Sequence, residues 1–395
     1  MVKLPEPRDP TLEAVDKAIV QSNRQEARSY LGVSALGHDC ERRLWMIWRW
    51  VKSEILDATN LRRIMDGFAG EPMMVDRLKA VLGINLSIDG PDGRQWSVSA
   101  FAGHLQGHLD GAIKGLLQAP QTWHVWEHKQ VGDKGFRDLN RKKEKFGEKN
   151  ALAEWNHVYM TQAQVYMGLT GMKRHYMTVA SPGGREITSV RTDFEKPYFD
   201  MSIAKAKNIL ESSTPPPKIS SKPDYYQCRW CHLSTICHDK TQTAAVNCRT
   251  CAHATPVTKD VEPVPGRPIV KGPWRCDFHD KSISLKRQRD GCPKHLFIPE
   301  LIPWAEVKAF DHPANEITYV TENGTEFVNA ETNDWKATPR RFASKDLQHI
   351  DSVNIDKDTQ YFEHLAEFDA SIIGNKKGNR SKDDGIPFDD PIPPV

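Results

Sequence analysis

Apolar residues recur at helical spacing in several segments of the chain. This period predicts a surface helix over residues 11–29 and a stripe of apolar side chains over residues 61–82. A further helix is expected to begin at Ser34, whose hydroxyl is a typical N-cap, and the same spacing returns at 151–169 and 194–211. The first half of the chain is therefore predicted to be rich in helices.

Strand signals lie between these helices. Runs that alternate apolar and polar residues, or are rich in β-branched and aromatic residues, predict strands at 84–88, 95–101, 105–113, 122–129, 173–180 and 185–191. Nearer the C-terminus, Asn323-Gly324 between two further runs predicts a hairpin over residues 317–328. A chain that mixes helices and strands in this order is expected to belong to the α/β class.

The composition narrows the class of protein. Of the 395 residues, 38% are hydrophobic and 27% are charged, which excludes a wholly disordered chain. No apolar run approaches the roughly eighteen residues that a membrane span requires, and residues 1–7 lack the apolar stretch of a signal peptide. We therefore expect no membrane partner and a cytoplasmic location, and the length favours one large catalytic domain with appended modules.

Charge is nearly balanced, with 54 Lys and Arg against 52 Asp and Glu, so any contact with DNA must be local. Residues 133–149 form a basic segment with seven Lys or Arg, four acids and two glycines. This segment is predicted to be a mobile loop, which is either simply solvated or guides a nucleic-acid strand by its charge. The candidate phosphate-binding residues are Lys134, Arg137, Arg141, Lys142, Lys143 and Lys145.

Seven of the eight cysteines lie between residues 228 and 292, in two groups. The first is a C-x2-C-x5-C run of Cys228, Cys231 and Cys237, for which Cys40 is the candidate fourth ligand. The second is complete by itself and is expected to bind zinc. Its candidate ligands are Cys248, Cys251, Cys276 and Cys292, with His279 or His295 as substitutes. Four thiolates suit either tetrahedral zinc or an iron-sulfur cluster, so spacing alone leaves the metal of the first group open.

Candidate chemistry centres on the triplet Glu127-His128-Lys129. Alternate side chains of a strand share a face, so Glu127 and Lys129 are expected to point together. Asp110 precedes Glu127 by 17 residues, a spacing that lets two sequential strands place their acids side by side. Two carboxylates and the backbone carbonyl of His128 form a sufficient site for Mg²⁺ or Mn²⁺. Lys129 would then orient or help to deprotonate a water that hydrolyses a phosphodiester bond.

Three more residues are candidates for the same site. Glu71, on the preceding helix, would supply a third carboxylate and complete a second metal position. Gln162 and Tyr166 lie four apart on one helical face, so both are expected to reach the edge of the site. Each feature has an ordinary alternative: a surface ion pair for Glu127 and Lys129, a turn residue for Asp110, and a plain helix face for the others. The order of these residues along the chain favours the catalytic interpretation.

That order is Gly67-x3-Glu71, Gly107-x2-Asp110, Glu127-x-Lys129 and Gln162-x3-Tyr166. It resembles the motif series of the PD-(D/E)XK nuclease superfamily, in its RecB-like branch. The first cysteine group resembles the four-cysteine iron-sulfur staple of CRISPR-associated and AddB-type exonucleases, and the resemblance covers residues 30–240. Many RecB-like members carry a histidine on the first helix, whereas this chain has Glu71, as phage recombination exonucleases do.

This resemblance implies a restriction-endonuclease-like mixed β-sheet flanked by helices. It also implies Asp110, Glu127 and Lys129 as the catalytic core and a 4Fe-4S cluster at the first cysteine group. The implied function is a Mg²⁺- or Mn²⁺-dependent DNA exonuclease with a two-metal-type mechanism, acting on DNA ends in recombination, end processing or phage DNA metabolism, in a bacterial or phage-infected cell. Two alternatives stay open: a non-catalytic nucleic-acid-binding or assembly protein with structural metal sites, and a structure- or sequence-selective endonuclease.

The chain is predicted to divide into five units. These are an N-terminal helix at 1–29, the nuclease domain at 30–240, a zinc-binding module at 241–300, a small β-containing domain at 301–370 and a disordered tail at 371–395. In the tail, Asp383-Asp-Gly-Ile-Pro-Phe388 looks similar to the acidic tip of bacterial single-strand-binding proteins, although seven residues follow it. This similarity is the basis for expecting recombination or single-strand-binding proteins as partners.

Overall fold

The computed structural model describes residues 9–23, 26–90, 93–259, 272–358, 360–365 and 367. Over these ranges the protein is a mixed α/β structure, which agrees with the predicted class. No helix there is both long enough and apolar enough to cross a membrane. The tail predicted at 371–395, with its Ile-Pro-Phe segment, lies outside the described residues.

Most helices of the described ranges bury an apolar face against a sheet or a neighbouring helix. They are α1 (Pro10–Ser22), α2 (Glu41–Trp48), α3 (Ala58–Lys79), α4 (Asp133–Phe146), α5 (Ala151–Trp155), α6 (His157–Thr170), α7 (Lys196–Glu211), α8 (Ser234–His238), α9 (Leu285–Asp290) and α10 (Ser344–Leu347). Short 3-10 turns lie at Val33–Ala35, Phe101–Gly103, Pro182–Gly184, Cys248–Thr250 and Pro299–Leu301.

The strands are short, and they build several separate sheets. In chain order they are β1 (Leu31–Gly32), β2 (Asn85–Ser87), β3 (Ser97–Ala100), β4 (Leu105–His108), β5 (Gly111–Lys114), β6 (His124–Gln130), β7 (Arg174–Ala180), β8 (Ile187–Asp193), β9 (Ala254–Pro256), β10 (Trp274–Cys276), β11 (Lys281–Ile283), β12 (Ala305–Asp311), β13 (Glu316–Thr321), β14 (Glu326–Ala330) and β15 (Arg340–Ala343).

The central sheet has five strands in the order β2-β5-β6-β7-β8. Strand β6 pairs parallel with β7 and the other neighbours are antiparallel, so the sheet is mixed. On one face, Met74 and Leu78 of α3 pack with Trp126 in one buried cluster. On the other face, helices α4 to α7 contribute buried residues such as Leu139 and Val165 to a larger cluster. Helices thus flank the sheet on both sides.

Three smaller sheets surround this layer. Strands β1, β4 and β3 form one, β9 to β11 form an antiparallel second, and β12 to β15 form a third in chain order. The hairpin predicted over 317–328 is confirmed, because β13 and β14 pair antiparallel around the Asn-Gly turn. Gly324 has φ of +83°, a left-handed conformation that glycine adopts without strain.

The single strand predicted over 105–113 is wrong. The chain breaks after His108, so that β4 and β5 belong to different sheets. The backbone N–H of Leu109 donates to the carbonyl of Trp96 at 2.9 Å, and the Asp110 carboxylate accepts from the N–H of His128. These hydrogen bonds satisfy backbone N–H groups at the corner between β4 and β5. They also place Asp110 where the two sheets meet.

The mobile loop predicted over residues 133–149 is also wrong, because most of it is helix α4. Phe136 and Leu139 are buried three residues apart, which gives the helix an apolar face that the high charge of the segment hides. Asp133 lies in the first turn, while Lys143 and Lys145 lie in the last. Their charges interact favourably with the helix dipole and so stabilise the helix.

Three predicted helix boundaries change. Helix α1 ends at Ser22, where the side chain of Asn23 donates to the carbonyl of Ile19. The helix expected from Ser34 begins at Glu41 and takes Cys40 as its N-cap, while Ser34 lies in a 3-10 turn. The helix predicted over 151–169 is interrupted by Asn156, whose side chain caps α6.

Packing links the predicted units. The main buried cluster contains residues of the predicted 30–240 unit, such as Trp48, and also Cys248, Cys251 and Trp274 from the cysteine-rich segment. The C-terminal sheet has a cluster of its own, in which Tyr319 and Phe327 stack with ring centroids 5.2 Å apart. The boundary at residue 240 stays a prediction about folding units, but apolar packing is continuous across it.

Candidate active site

A cavity of about 500 Å³ opens beside the central sheet. Its walls come from α3, from α6, from the segment around Gly32–Ala35 and from the ends of β4 and β6. The sequence-predicted acids, amine, amide and phenol all line it, namely Glu71, Asp110, Glu127, Lys129, Gln162 and Tyr166. The structure therefore brings together side chains that span nearly a hundred residues of chain.

Strand register explains why Asp110 and Glu127 are neighbours. Gly111 of β5 lies opposite Trp126 of β6, so the residue before Gly111 is beside the residue after Trp126. The N–H of His128 donates to Asp110 Oδ2 at 2.7 Å, which fixes this carboxylate at the sheet corner. The predicted side-by-side placement of the two acids is confirmed.

The ammonium of Lys129 lies between the two carboxylates. Its Nζ is 2.8 Å from Glu127 Oε2 and 3.9 Å from Asp110 Oδ2. Glu127 is only 1% exposed, so this contact forms in a site of low dielectric. Burial alone would lower the pKa of Lys129, but the charges of Glu127 and Asp110 outweigh that effect and raise it. Lys129 is therefore protonated over the physiological range.

His128 points away from these groups, as strand alternation predicts. Its Nδ1 is 3.0 Å from the hydroxyl of Thr178, on the face of the sheet that Trp126 also occupies. Burial and the charge of Lys129 together lower the pKa of His128 to about 4, so the ring is neutral. Because the side chain points away from the site, only the backbone carbonyl of His128 is available as the metal ligand that the sequence suggested.

Gln162 and Tyr166 reach the site from α6, one helical turn apart. Gln162 Nε2 donates to Glu127 Oε2 at 3.0 Å and to the Tyr166 hydroxyl at 3.3 Å. The hydroxyl in turn donates to the carbonyl of His108 at 2.8 Å. Both side chains are buried, so they hold the orientation of Glu127 rather than form an exposed helix face.

Glu71 of α3 completes a group of three carboxylates. Burial and the charge of Asp110 together raise the pKa of Glu71 to about 7. The same two effects, burial and the charge of Asp110, raise the pKa of Glu127 to about 8, and burial raises that of Asp110. Three carboxyl groups with raised pKa values thus share one cavity with the ammonium of Lys129.

This donor set fits a hard divalent cation. Glu127 Oε1 is buried and has no hydrogen-bond partner among the described residues. Carboxylate oxygens are the ligands that Mg²⁺ and Mn²⁺ prefer, and a bound cation would favour the charged form of these carboxyl groups. As the side chains stand, no group of three or more His, Cys, Asp or Glu in the described ranges is arranged to hold a metal ion, so binding requires some rotation of these groups.

The raised pKa values predict a pH-dependent stability. Glu127 and Glu71 keep their protons in the folded protein at pH values where the unfolded chain has lost them, so stability falls as pH rises through about 7 to 8. In EDTA, we expect the Tm to fall between about pH 6.5 and 8.5, a window above the titration of unfolded histidines, with a loss on the order of a few kcal/mol.

Glu127→Gln is the matched variant for this measurement. Its Tm in EDTA should vary less with pH, because only Glu71 and Asp110 still titrate in the site. Added Mg²⁺ should restore the Tm of the unaltered protein most at the alkaline end. A Tm in EDTA with the same pH dependence in both proteins would contradict the assignment of the raised pKa to Glu127.

Sequence analysis missed several residues of the cavity wall, among them Arg28, Arg63 and Tyr159. Arg63 lies eight residues before Glu71 on α3, and Tyr159 lies seven before Tyr166 on α6, so helical spacing carried a signal for both. The ring of Tyr159 is 5.8 Å from Lys129 Nζ. Arg28 lies in an irregular segment, where no periodicity identifies it.

The first cysteine group converges in space. Cys40, Cys228, Cys231 and Cys237 all line one cavity of about 280 Å³, where α2 meets the segment before α8. Burial raises the pKa of Cys228, and the nearby thiols of Cys40, Cys231 and Cys237 raise it further. The fourth thiol that the sequence assigned to this group, 188 residues before the others, is therefore beside them.

The second cysteine group converges as well. Cys248, Cys251, Cys276 and Cys292 line a separate cavity of about 10 Å³. Of the two histidines proposed as substitutes, His279 has its Nε2 3.9 Å from Cys292 Sγ. His295 is buried, and its Nε2 lies 3.2 Å from the hydroxyl of Thr250.

The basic residues predicted to bind phosphate lie on α4, outside the cavity wall. Lys134, Arg137, Arg141 and Lys145 are exposed, while Lys142 and Lys143 are half-buried. Lys143 donates to the carbonyl of Ser189 at 2.6 Å, and Arg141 pairs with Asp138 at 3.0 Å. Since α4 begins three residues after β6 ends, its N-terminal basic residues follow closely on Lys129 in the chain.

No family model matches this chain, and no curated protein matches it. Among solved structures it is similar to the protein SSO0001, at 13% identity and a TM-score of 0.33, over 58% of this chain and 96% of that one. It is also similar to LHK-Exo, an alkaline exonuclease from Laribacter hongkongensis, at 12% identity and a TM-score of 0.34, over 49% and 90% of the two chains. The same enzyme in complex with dAMP matches at 13% identity and a TM-score of 0.32, over 50% and 90%. TM-scores this low assign neither a fold family nor an activity.

Proposed function

We propose that this protein is a Mg²⁺- or Mn²⁺-dependent deoxyribonuclease that hydrolyses phosphodiester bonds at the ends of linear DNA. One observation carries the proposal: the carboxylates of Asp110 and Glu127 meet the ammonium of Lys129 in one cavity. The motif order and the central mixed sheet support a place in the PD-(D/E)XK superfamily, in its RecB-like branch.

A bound divalent cation would lower the pKa of an attacking water and offset the negative charge that develops on the phosphate. Asp110 and Glu127 would hold this cation, with the backbone carbonyl of His128 as a third oxygen. Glu71 would complete a second position, as a two-metal mechanism requires.

Lys129 has a more specific role than the sequence defined. Because the neighbouring carboxylates keep it protonated, it donates hydrogen bonds rather than accepts a proton. It therefore orients the attacking water and stabilises a phosphate oxygen, and the alternative role of general base is disfavoured. Gln162 fixes the Glu127 carboxylate, and Tyr166 fixes Gln162, so both act as positioning residues.

The experiment that tests this function compares two forms of one DNA. Purified full-length protein is incubated with Mn²⁺ and either end-labelled linear DNA or the same sequence as a covalently closed circle. We expect the linear form to be degraded from its ends and the circle to persist. Cleavage of the circle would identify an endonuclease, and no cleavage of either would favour the non-catalytic alternative.

For the first cysteine group we propose a 4Fe-4S cluster, with Cys40, Cys228, Cys231 and Cys237 as ligands. The cavity of about 280 Å³ has room for a group larger than a single ion. Protein purified without oxygen should show a broad absorbance near about 400 nm, and Cys228→Ser should remove it. Colourless protein with stoichiometric zinc in this group would contradict the cluster.

Helix α4 is proposed to contact the DNA backbone through Lys134 and Arg137. In an Asp110→Asn background that binds without cutting, the double change Lys134→Gln and Arg137→Gln should weaken DNA binding about tenfold at about 0.15 M salt. The slope of log affinity against log salt should fall by about one or two units, one for each lost phosphate contact.

The matched control removes two exposed lysines far along the chain, Lys345 and Lys357. The double change of these to glutamine alters net charge equally and should leave the affinity and its salt dependence unchanged. Equal losses in both double variants would mean that binding depends on overall charge and not on α4.

A further inference from the structure

The four thiols of the second cysteine group line one small cavity, although as they stand they are not arranged to hold a metal ion. Cys248 and Cys251 flank a 3-10 turn, Cys276 ends β10, and Cys292 follows the glycine that ends α9. Elements separated by 44 residues of chain thus deliver four thiols to one cavity. Cys248 Sγ now lies 3.3 Å from the carbonyl of Arg287, so this thiol must turn toward its partners to bind a metal.

The size of this cavity selects the kind of metal group. Its volume of about 10 Å³ is about the space that one water-sized sphere occupies. A single ion fits, whereas a four-iron cube does not. Tetrahedral coordination by four thiolates, with no position left for water, is typical of structural zinc.

The buried cluster that contains Cys248 and Cys251 also surrounds two arginines that have no acidic partner among the described residues. Arg249 is 0% exposed and Arg49 is 2% exposed. Arg249 donates to the carbonyls of Trp48 and Ser29, each at 2.8 Å, and to the side-chain oxygen of Gln288. In the part of the chain that the structure describes, neither arginine has a carboxylate within 4.0 Å.

Two buried cations without counter-charge are costly, even though indole rings surround them. The guanidinium of Arg249 lies 3.8 Å from the ring centre of Trp50, and that of Arg49 lies 4.9 Å from the ring centre of Trp45. Cation–π contacts offset only part of the cost of taking a charge out of water. A negative group close by would account for their burial.

Cys251, Glu211 and Glu300 are the groups of one cavity that can place negative charge near Arg49. Arg49 and Cys251 line the same cavity of about 280 Å³. Glu211 also lines this cavity, but its carboxylate accepts from the Thr258 hydroxyl at 3.1 Å and lies 3.9 Å from the Lys207 ammonium.

We propose that Cys248, Cys251, Cys276 and Cys292 bind one Zn²⁺ ion, and that the net charge of −2 of this tetrathiolate centre balances the two buried guanidinium groups of Arg49 and Arg249. The four thiols lose their protons to solvent when zinc binds. Zinc and the arginines therefore stabilise each other, and this attraction links the cysteine-rich segment to Arg49, the residue that follows helix α2. This inference does not depend on the proposed nuclease activity.

Metal analysis of the full-length protein tests the site. We expect one zinc per chain, which Cys276→Ser and Cys292→Ser reduce, while Cys40→Ser in the first group leaves zinc in place and lowers iron alone. Zinc measured on the unaltered protein is decisive even if a cysteine variant fails to fold. Absence of zinc, or iron in its place, would overturn the site.

Zinc affinity, measured by competition with a chelator, tests the charge balance. Arg49→Met should lose about tenfold or more in affinity, while Arg49→Lys, which keeps the charge, should lie closer to the unaltered protein. Glu211→Gln is the control and should bind zinc normally. The proposed balance is overturned if Arg49→Met binds zinc as tightly as the unaltered protein, or if Glu211→Gln loses as much.

Discussion

Replacing Asp110 with asparagine should reduce the degradation of end-labelled linear DNA by at least about 10³-fold, because the variant loses one negative oxygen of the proposed cation site. The fold should survive, since the amide oxygen of asparagine still accepts the hydrogen bond from the N–H of His128. Lys129→Met should cause a loss of about 10²-fold or more, because no other cation lies between Asp110 and Glu127 among the described side chains. Initial rates in Mn²⁺ at fixed DNA concentration measure both effects.

The control for these variants is Asp200→Asn on α7. Asp200 is half-exposed and pairs with Lys196 on its own helix, away from the cavity. Its removal should leave the rate within about twofold. Full activity in Asp110→Asn would show that these acids are a structural ion-pair network and not a hydrolytic centre.

Gly107→Ala should damage both stability and activity. A Cβ atom at Gly107 would lie 2.4 Å from Cε1 of Tyr166 and 2.9 Å from Cβ of Val33, closer than atoms can approach. Overpacking of this kind costs about 1–3 kcal/mol. Since the phenol of Tyr166 would move and release Gln162, we expect activity to fall by about tenfold or more in protein that is still folded.

Gly135→Ala makes the same chemical change without the clash. Gly135 lies inside α4, and an added Cβ would meet only Val131, at 3.6 Å. This variant should be about 0.5–1 kcal/mol more stable, because alanine favours helix over glycine. Urea unfolding and DNA degradation measure the pair. Equal stability of the two variants would mean that the close approach of Tyr166 to Gly107 is absent in solution.

Sequence reasoning located the core of the candidate site because strand geometry has a short, rigid period. Alternation alone places Glu127 with Lys129 and turns His128 away. The helical repeat of four likewise places Gln162 beside Tyr166. These residues are near neighbours in one strand or helix. The regular repeat of that element determines which of their side chains lie together, so the sequence alone predicts it.

Relations between elements were harder to predict. The break at Asp110 depends on hydrogen bonds from Leu109 to Trp96 and from His128 to Asp110, which join residues distant in the chain. In α4, two buried apolar residues outweigh a surplus of charge, and composition alone favoured a loop. Nothing in the sequence indicated that Arg49 and Arg249 are buried, because neither lies in a pattern that predicts contact with tryptophan rings.

The contact between the cysteine-rich segment and the predicted 30–240 unit limits how this polypeptide can be shortened or fused to other proteins. The rings of Trp48 and Trp274 lie 5.0 Å apart, and His104, next to the strand that leads to Asp110, donates to the carbonyl of Pro273. A fragment that stops at residue 240 would uncover a large aromatic surface and loosen the approach to the acids. We expect such a fragment to aggregate when it is expressed, so the two segments should be inherited, cloned and crystallised together.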